Sequence, residues 1–340
     1  MKKILVTGGT GFIGSHTIVE LHNAGYEPII IDNFNNSNPS VLEGIKAITG
    51  KSFTFYEADC NDKTIFKTIF SEHKIEGIIH FAAYKAVGES VINPLKYYYN
   101  NLNSLVNLLE SMLESKVNNL VFSSSCTVYG QPDKLPVTED APVKLAESPY
   151  GNTKQVSEEI IKDTCFANKD LRAISLRYFN PIGAHPSAKI GELPIGVPGN
   201  LVPFITQTAI GLREKLTVFG NDFNTPDGSC VRDYIHVVDL AKAHVKAIEL
   251  LNKKETGHYD FFNIGTGNGS TVLEVVSTFE RITKQKLNYT IGSRRAGDVE
   301  KVYAAVDKST RELGWKTELS LETALEDAWR WQKKLQKSRK

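Results

Sequence analysis

The chain has 340 residues, 41% of them hydrophobic and 23% charged, with 40 Lys and Arg against 39 Asp and Glu for a formal net charge of +1. That balance leaves no global basic field to hold nucleic acid or an anionic membrane surface, so any anion must be bound by a local site. The length suits about two domains with cores that need no staples, and the four scattered cysteines (Cys60, Cys126, Cys165, Cys230) read as reduced thiols of a cytoplasmic protein.

Lys2 and Lys3 precede only three apolar residues, Ile4-Leu5-Val6, before Thr7 and Gly8, whereas a secretory leader needs roughly 7 to 15. No stretch approaches the roughly 18 apolar residues of a membrane span, so no membrane partner is expected. Ile4-Leu5-Val6 is the first of six short runs, followed by Ile29-Ile30-Ile31, Phe53-Thr54-Phe55, Ile78-Ile79-His80, Leu120-Val121-Phe122 and Ile174-Ser175-Leu176. Such runs suit strands buried on both faces of a parallel sheet. Helical spacing fills the gaps, as in Ile13, Thr17, Val19 and Leu21, which end at a C′ glycine, Gly25. Right-handed crossovers then give an α/β fold with a doubly wound (Rossmann) parallel sheet.

Gly9-x-Gly11-x-x-Gly14 directly follows the first run and opens a helix, and Gly8 extends the motif. Glycines there let backbone N–H groups and a helix amino end approach a pyrophosphate. Asp32 ends the second strand, 18 residues after Gly14, where a carboxylate accepts hydrogen bonds from both ribose hydroxyls and repels a 2′-phosphate, favouring NAD over NADP. Asp59 and Cys60 follow the third strand and suit an adenine edge, although Asp59 could instead cap a helix before Lys63 and Thr64. Small residues after His80, in Phe81-Ala82-Ala83-Tyr84-Lys85, would let the chain pass close to a diphosphate.

Ser123-Ser124-Ser125 closes the fifth strand, and Tyr150-x-x-x-Lys154 shares one face of the next helix. A nearby cation favours the phenolate of a tyrosine, and Ser125 could hydrogen-bond the same substrate oxygen, so these three residues form a candidate catalytic set. No metal site is expected. After Asn180 the chain becomes rich in Pro and Gly and then resumes in short mixed elements, which predicts a smaller mixed α/β substrate domain. The predicted division is a cofactor domain over 1–180, with 236–265 returning to it, and a smaller domain over 181–340. Lys333 to Lys340 reads as a frayed, solvated tail.

Together these blocks, with Lys85-Ala86-Val87-Gly88-Glu89-Ser90, Arg177-Tyr178-Phe179-Asn180-Pro181, Gly183-Ala184-His185-Pro186, Arg232-Asp233-Tyr234-Ile235-His236-Val237 and Arg294-Arg295-x-Gly297-Asp298, resemble the extended short-chain dehydrogenase/reductase family over nearly the whole length. The Lys85 and Gly183 blocks and Asn263-Ile264-Gly265 narrow the resemblance to its nucleotide-sugar 4-epimerase branch. It implies interconversion of UDP-glucose and UDP-galactose through a 4-keto sugar and retained NAD, in a homodimer paired through helices such as Asn93 to Ser115. For NAD it implies Gly8, Gly11, Phe12, Ile13, Gly14, Asp32, Asn33, Phe34, Asn35, Asn36, Ser37, Asp59, Cys60, Phe81, Ala82, Ala83, Lys85, Asn100, Ser123, Tyr150, Lys154 and Phe179. For the UDP-sugar it implies Lys85, Ser125, Tyr150, Asn180, Asn200, Leu201, Thr217, Val218, Phe219, Arg232, Arg295 and Val302. Arg232 and Arg295 would clamp the diphosphate, while Arg294 could equally form a surface salt bridge. Val302 stands where the branch limits room near the sugar's C2 substituent, and its size implies acceptance of UDP-GlcNAc and UDP-GalNAc.

Two other functions compete. A nucleotide-sugar dehydratase needs an extra acid after the strand-five serines, and Cys126-Thr127-Val128 offers none. A non-catalytic dinucleotide sensor has no use for Tyr150, Lys154 and Ser125 together.

Overall fold

The computed structural model describes residues 1–254, 257–295 and 299–337. The first part alternates strands and helices: β1 (Lys3–Thr7), α1 (Phe12–Asn23), β2 (Glu27–Asp32), α2 (Ser40–Thr49), β3 (Thr54–Glu57), α3 (Lys63–Glu72), β4 (Ile75–His80), α4 (Val87–Ile92), α5 (Pro94–Ser115), β5 (Asn119–Ser125), α6 (Pro149–Ala167) and β6 (Arg172–Tyr178). Mixed elements follow: β7 (Asn180–Ile182), α7 (Leu201–Ala209), β8 (Leu216–Phe219), β9 (Val231–Arg232), β10 (Tyr234–His236), α8 (Val237–Leu251), β11 (His258–Ile264), β12 (Ser270–Thr271), α9 (Val272–Thr283), β13 (Tyr289–Gly292), β14 (Lys301–Val302) and α10 (Leu321–Lys337).

Seven parallel strands form the main sheet in the order β11-β6-β5-β4-β1-β2-β3, which confirms the doubly wound α/β class. The seventh, β11, adds to β6 from Tyr178↔Ile264 back to Arg172↔His258, and α8 packs against α1. Alternation along β1 shows why the runs are apolar throughout. Ile4 and Val6 enter one core with Ile18, Leu240 and Ile248, whereas Leu5 enters the other with Phe66, Leu105 and Ile161. β3 departs from the expectation of burial on both faces: it is the sheet's edge, and its four residues are exposed or half-buried.

A third core holds Val202, Ile205, Val218, Val275, Phe279 and Leu325 from α7, β8, α9 and α10. Here the predicted frayed tail is corrected. Lys333 to Lys337 continue α10, because its other face buries Ala324, Leu325, Ala328 and Gln332, while the Lys333 amine lies over the Trp329 ring at 5.6 Å. Residues 338–340 lie outside the described residues. Among the described residues, no helix is long and apolar enough to cross a membrane.

Candidate active site

Parallel pairing puts the motif-bearing loops at the carboxyl ends of β1, β2, β4, β5 and β6. Gly8 adopts φ +67° and donates its N–H to the Ile31 carbonyl (2.9 Å), while Gly11 N–H turns back to the Gly8 carbonyl (3.1 Å). A Cβ on Gly8 would stand 2.8 Å from Ala82 N, and one on Gly14 would stand 2.3 Å from Gly8 O. Only glycine fits either position. Phe12 and Ile13 open α1, whose cap Gly11 supplies no side-chain acceptor and whose first turn carries no acid, so the turn's N–H groups face the cradle. The cradle therefore fits a pyrophosphate.

Asp32 ties this turn to the next loop. Its Oδ2 accepts Thr10 N–H (3.0 Å), and its Oδ1 accepts Phe34 N–H (3.0 Å) and the Ser37 hydroxyl (2.9 Å). To close that loop, Phe34 takes φ +57°, held by the Asp32 contact and by its ring against Phe55 at 5.2 Å. Asn33 accepts Asn35 N–H and donates to Asp59, while Asn36 lies exposed at the loop's tip.

Asp59 does not cap α3. Asp62 does, accepting Thr64 N–H at 2.9 Å, because it is the residue immediately before the helix. The Asp59 carboxylate instead accepts Asn33 and Asn61, starting an amide chain that runs through Asn61 to Asn100 (3.1 Å) and on to Asn101 (3.0 Å). Asn101 donates to Tyr84 O and to Thr153 Oγ1 on α6. Sequence reading passed over Asn101; the signal was Asn100-Asn101, poor helix formers placed inside a long helix. Cys60 beside this chain is buried, which pushes its thiol pKa up.

Phe81, Ala82, Ala83 and Lys85 follow β4, with Phe81 N–H on Thr7 O (3.0 Å) and Ala82 N–H on Thr7 Oγ1 (3.3 Å). Lys85 reaches across to the Glu192 carboxylate at 3.8 Å, and Asn200, the N-cap residue of α7, donates to the same carboxylate at 2.6 Å. Glu192 is a second residue that sequence reading missed, since its partners lie in distant segments.

Tyr150 and Lys154 stand one turn apart on α6, which Ser148 caps, and they are 9% and 4% exposed. Lys154 Nζ donates to Ser123 O (2.5 Å), and the Ser123 hydroxyl pairs with Tyr178 OH. Burial pushes the Tyr150 phenol up to about 12, opposed by the Ser125 hydroxyl, and pulls the Lys154 amine down to about 7, opposed by Glu158. The amine sits 5.9 Å from the Tyr150 ring centroid, and burial acts on both groups against their charged forms.

Glu158, one further turn along α6, receives Arg177 Nε at 2.9 and 3.2 Å and the Ser124 hydroxyl at 2.5 Å. The Arg177 guanidinium also covers the Phe261 ring at 3.9 Å. This buried pair locks α6 to β5 and β6. Glu158→Ala should cost about 3–5 kcal/mol by stranding Arg177, and Glu158→Leu with Arg177→Met should recover most of it. Chemical denaturation of the three proteins checks this, and a single variant as stable as the parent would contradict it.

On the other side, Asn180 opens β7, Leu201 opens α7, and Thr217, Val218 and Phe219 lie on β8. The Val218 side chain is buried in the third core, so only its backbone can meet a ligand. The Arg295 guanidinium faces the Phe219 ring at 5.7 Å. Arg294 forms the surface salt bridge, with Asp222 at 2.7 Å. Arg232 on β9 is paired in register with Val302 on β14, and Val302 shares an apolar cluster with Phe179, Tyr129 and Cys126. Gly297 and Asp298 lie outside the described residues. Desolvation pushes the half-buried Cys126 thiol up to about 12.

Residues 5–328 match a family model described as GDP-mannose 4,6 dehydratase. A UDP-glucose 4-epimerase of Bacillus subtilis is 52% identical over 330 residues, covering 97% of this chain and 96% of that protein. The crystal structure of a Stenotrophomonas maltophilia UDP-glucose 4-epimerase, with bound NAD and formylated UDP-arabinopyranose, superposes with a TM-score of 0.96 at 44% identity, covering 99% and 100% of the two chains. That of Bifidobacterium longum, in complex with NAD+ and UDP, gives 0.94 at 45% identity, covering 98% of each.

Proposed function

The chain belongs to the UDP-glucose 4-epimerases of the extended short-chain dehydrogenase/reductase family, and from that premise we propose how its residues carry out the reaction. It is an NAD-dependent isomerase that interconverts UDP-glucose and UDP-galactose. The observation that carries the residue assignment is that Tyr150, Ser125 and Lys154 lie at the carboxyl end of the sheet, which also bears the glycine cradle.

Bound NAD supplies a hydride acceptor and donor at the sugar's C4 and, when oxidised, a positive charge that opposes the burial effect on Tyr150. Gly8, Gly11 and Gly14 with the α1 amino end hold its diphosphate, and Asp32 accepts from a ribose. Lys154 holds the nicotinamide ribose from its place on the Ser123 carbonyl. Tyr150 takes the proton of the 4-hydroxyl and later returns it, with Ser125 hydrogen-bonded to the same oxygen. Between these transfers the 4-keto sugar turns about its bond to the diphosphate and presents its other face. Arg232 and Arg295 hold that diphosphate throughout, and Asn180, Asn200, Leu201 and the β8 backbone complete the nucleotide-sugar site. The cofactor domain spans 1–180 with 236–265, and the remainder of 181–340 binds the UDP-sugar. Purified protein given UDP-galactose and no added NAD should form UDP-glucose; absence of product would sink this assignment.

A dehydratase is disfavoured because the carboxylate nearest in sequence after Cys126, Asp133, lies in an exposed pair with Lys144. Valine at 302, in the cluster that holds Phe179, is a smaller side chain than the tyrosine the branch can carry there, so UDP-GalNAc and UDP-GlcNAc should interconvert in addition to the hexoses. No turnover at high enzyme concentration would remove the size argument.

We also propose a homodimer paired through α4 and α5. Leu95 and Tyr99, 80% and 69% exposed, continue at helical spacing through the exposed Val106 and Leu113, with the exposed Val91 and Ile92 of α4 just before them. Leu95→Asp should yield monomers in sedimentation at micromolar concentration, and an unchanged dimer would contradict this surface. The four free cysteines favour a reducing, cytoplasmic setting.

A further inference from the structure

Asp233 lies between β9 and β10, fully buried, where two small sheets meet. On one side Arg232 pairs with Val302, and on the other Tyr234 pairs with Asn180. The Asp233 carbonyl accepts Asn180 N–H at 2.9 Å. Its carboxylate gathers four donors from two other segments. Oδ1 accepts Thr266 N–H (2.8 Å) and Thr266 Oγ1 (2.7 Å), while Oδ2 accepts Gly267 N–H (3.2 Å) and Ala304 N–H (3.1 Å). Gly265 must lack a side chain for this, since a Cβ would stand 2.4 Å from Asp233 Oδ2 and 2.7 Å from Ala304 Cβ.

A carboxylate with no exposure is expensive unless donors converge on it, and four converge here from backbone and hydroxyl groups. Their segments lead directly to the ligand-facing residues: Ala304 is two residues beyond Val302, and the Thr266 loop follows β11 of the main sheet. The carboxylate thus ties the β9–β10 corner, and Arg232 with it, to the segments that follow Val302 and β11, while the backbone of the same residue pairs with the start of β7. We propose that Asp233 is the positioning residue of the UDP-sugar cleft, controlling substrate affinity by holding Arg232, Asn180 and Val302 in mutual register without touching the substrate. This rests on the assignment of those three residues to the UDP-sugar.

In the full-length protein as purified, Asp233→Asn keeps the shape but turns an amide NH2 toward two N–H donors. KM for UDP-galactose should rise by about tenfold or more, with kcat within about threefold of the parent and the NAD content unchanged. Thr266→Val removes a single hydroxyl donor and should raise KM by about two- to fivefold; it decides the matter if the Asn variant does not fold. An unchanged KM in the folded variants, or a loss of kcat together with NAD at constant KM, would overturn the proposal. Arg232→Lys is measured in parallel. A raised KM there with none in Asp233→Asn defeats the positioning role alone, whereas no change in Arg232→Lys defeats the clamp assignment beneath it.

Discussion

Replacing Tyr150 by Phe should lower kcat by about 10²–10⁴-fold while leaving NAD bound to the purified protein. The substitution removes one oxygen from a side chain that is 9% exposed and otherwise fixed by α6, so the packing around it is retained. Lys154 keeps its hydrogen bond to the Ser123 carbonyl, and the glycine cradle lies on a different loop, so cofactor binding has no reason to fail. What disappears is the group that exchanges a proton with the sugar's 4-hydroxyl. Ser125 cannot replace it, because an alcohol is far less acidic than a phenol and supplies no deprotonated oxygen to take the proton, and that oxygen already accepts Thr127 N–H at 3.2 Å. Stopped assays with UDP-galactose, alongside the absorbance of dinucleotide released on denaturation, read the two quantities separately. Activity near that of the parent would remove Tyr150 from the mechanism.

Gly14→Ala should weaken NAD binding by about 10–100-fold, the equivalent of about 1–3 kcal/mol of overpacking. The new Cβ would lie 2.3 Å from Gly8 O and 2.9 Å from Gly9 Cα, and both are backbone atoms that can move only by opening the cradle. Opening it also strains the contacts that Asp32 makes with Thr10 and Ser37, so the loss reaches the ribose end of the site. Gly88→Ala is the matched control, since nothing lies within 4 Å of its Cβ and helix α4 favours alanine. The control should keep its NAD and the Gly14 variant should be purified largely without it. Equal NAD content in both would show that the cradle does not hold the diphosphate.

The parallel sheet was legible because its strands are buried on both faces and so read as unbroken apolar runs; β3, exposed at the edge, was the exception. The placing of Tyr150 and Lys154 on one helical face was legible for a similar reason, since a spacing of four is local. What was not legible is whatever depends on a partner far along the chain. Glu158 and Arg177 are 19 residues apart, Asp233 and Ala304 are 71 apart, and nothing near any of them announces the other. The burial of Lys154 is of the same kind. A spacing of four puts the amine on the Tyr150 face, but its bond to the Ser123 carbonyl comes from β5, 31 residues earlier. Asp59 failed as a cap because competing acids three residues apart look alike in sequence, and only the helix start separates them.

In the proposed mechanism one site removes and returns the same hydride at C4 of a UDP-sugar. It is tested most directly by incubating the purified protein, with no added NAD, with UDP-galactose deuterated at C4 and following the product by mass spectrometry and NMR. The expected product is UDP-glucose carrying the deuterium still at C4, with none lost to water. Product in which the label has exchanged with solvent, or conversion that requires NAD to be supplied from outside, would contradict it.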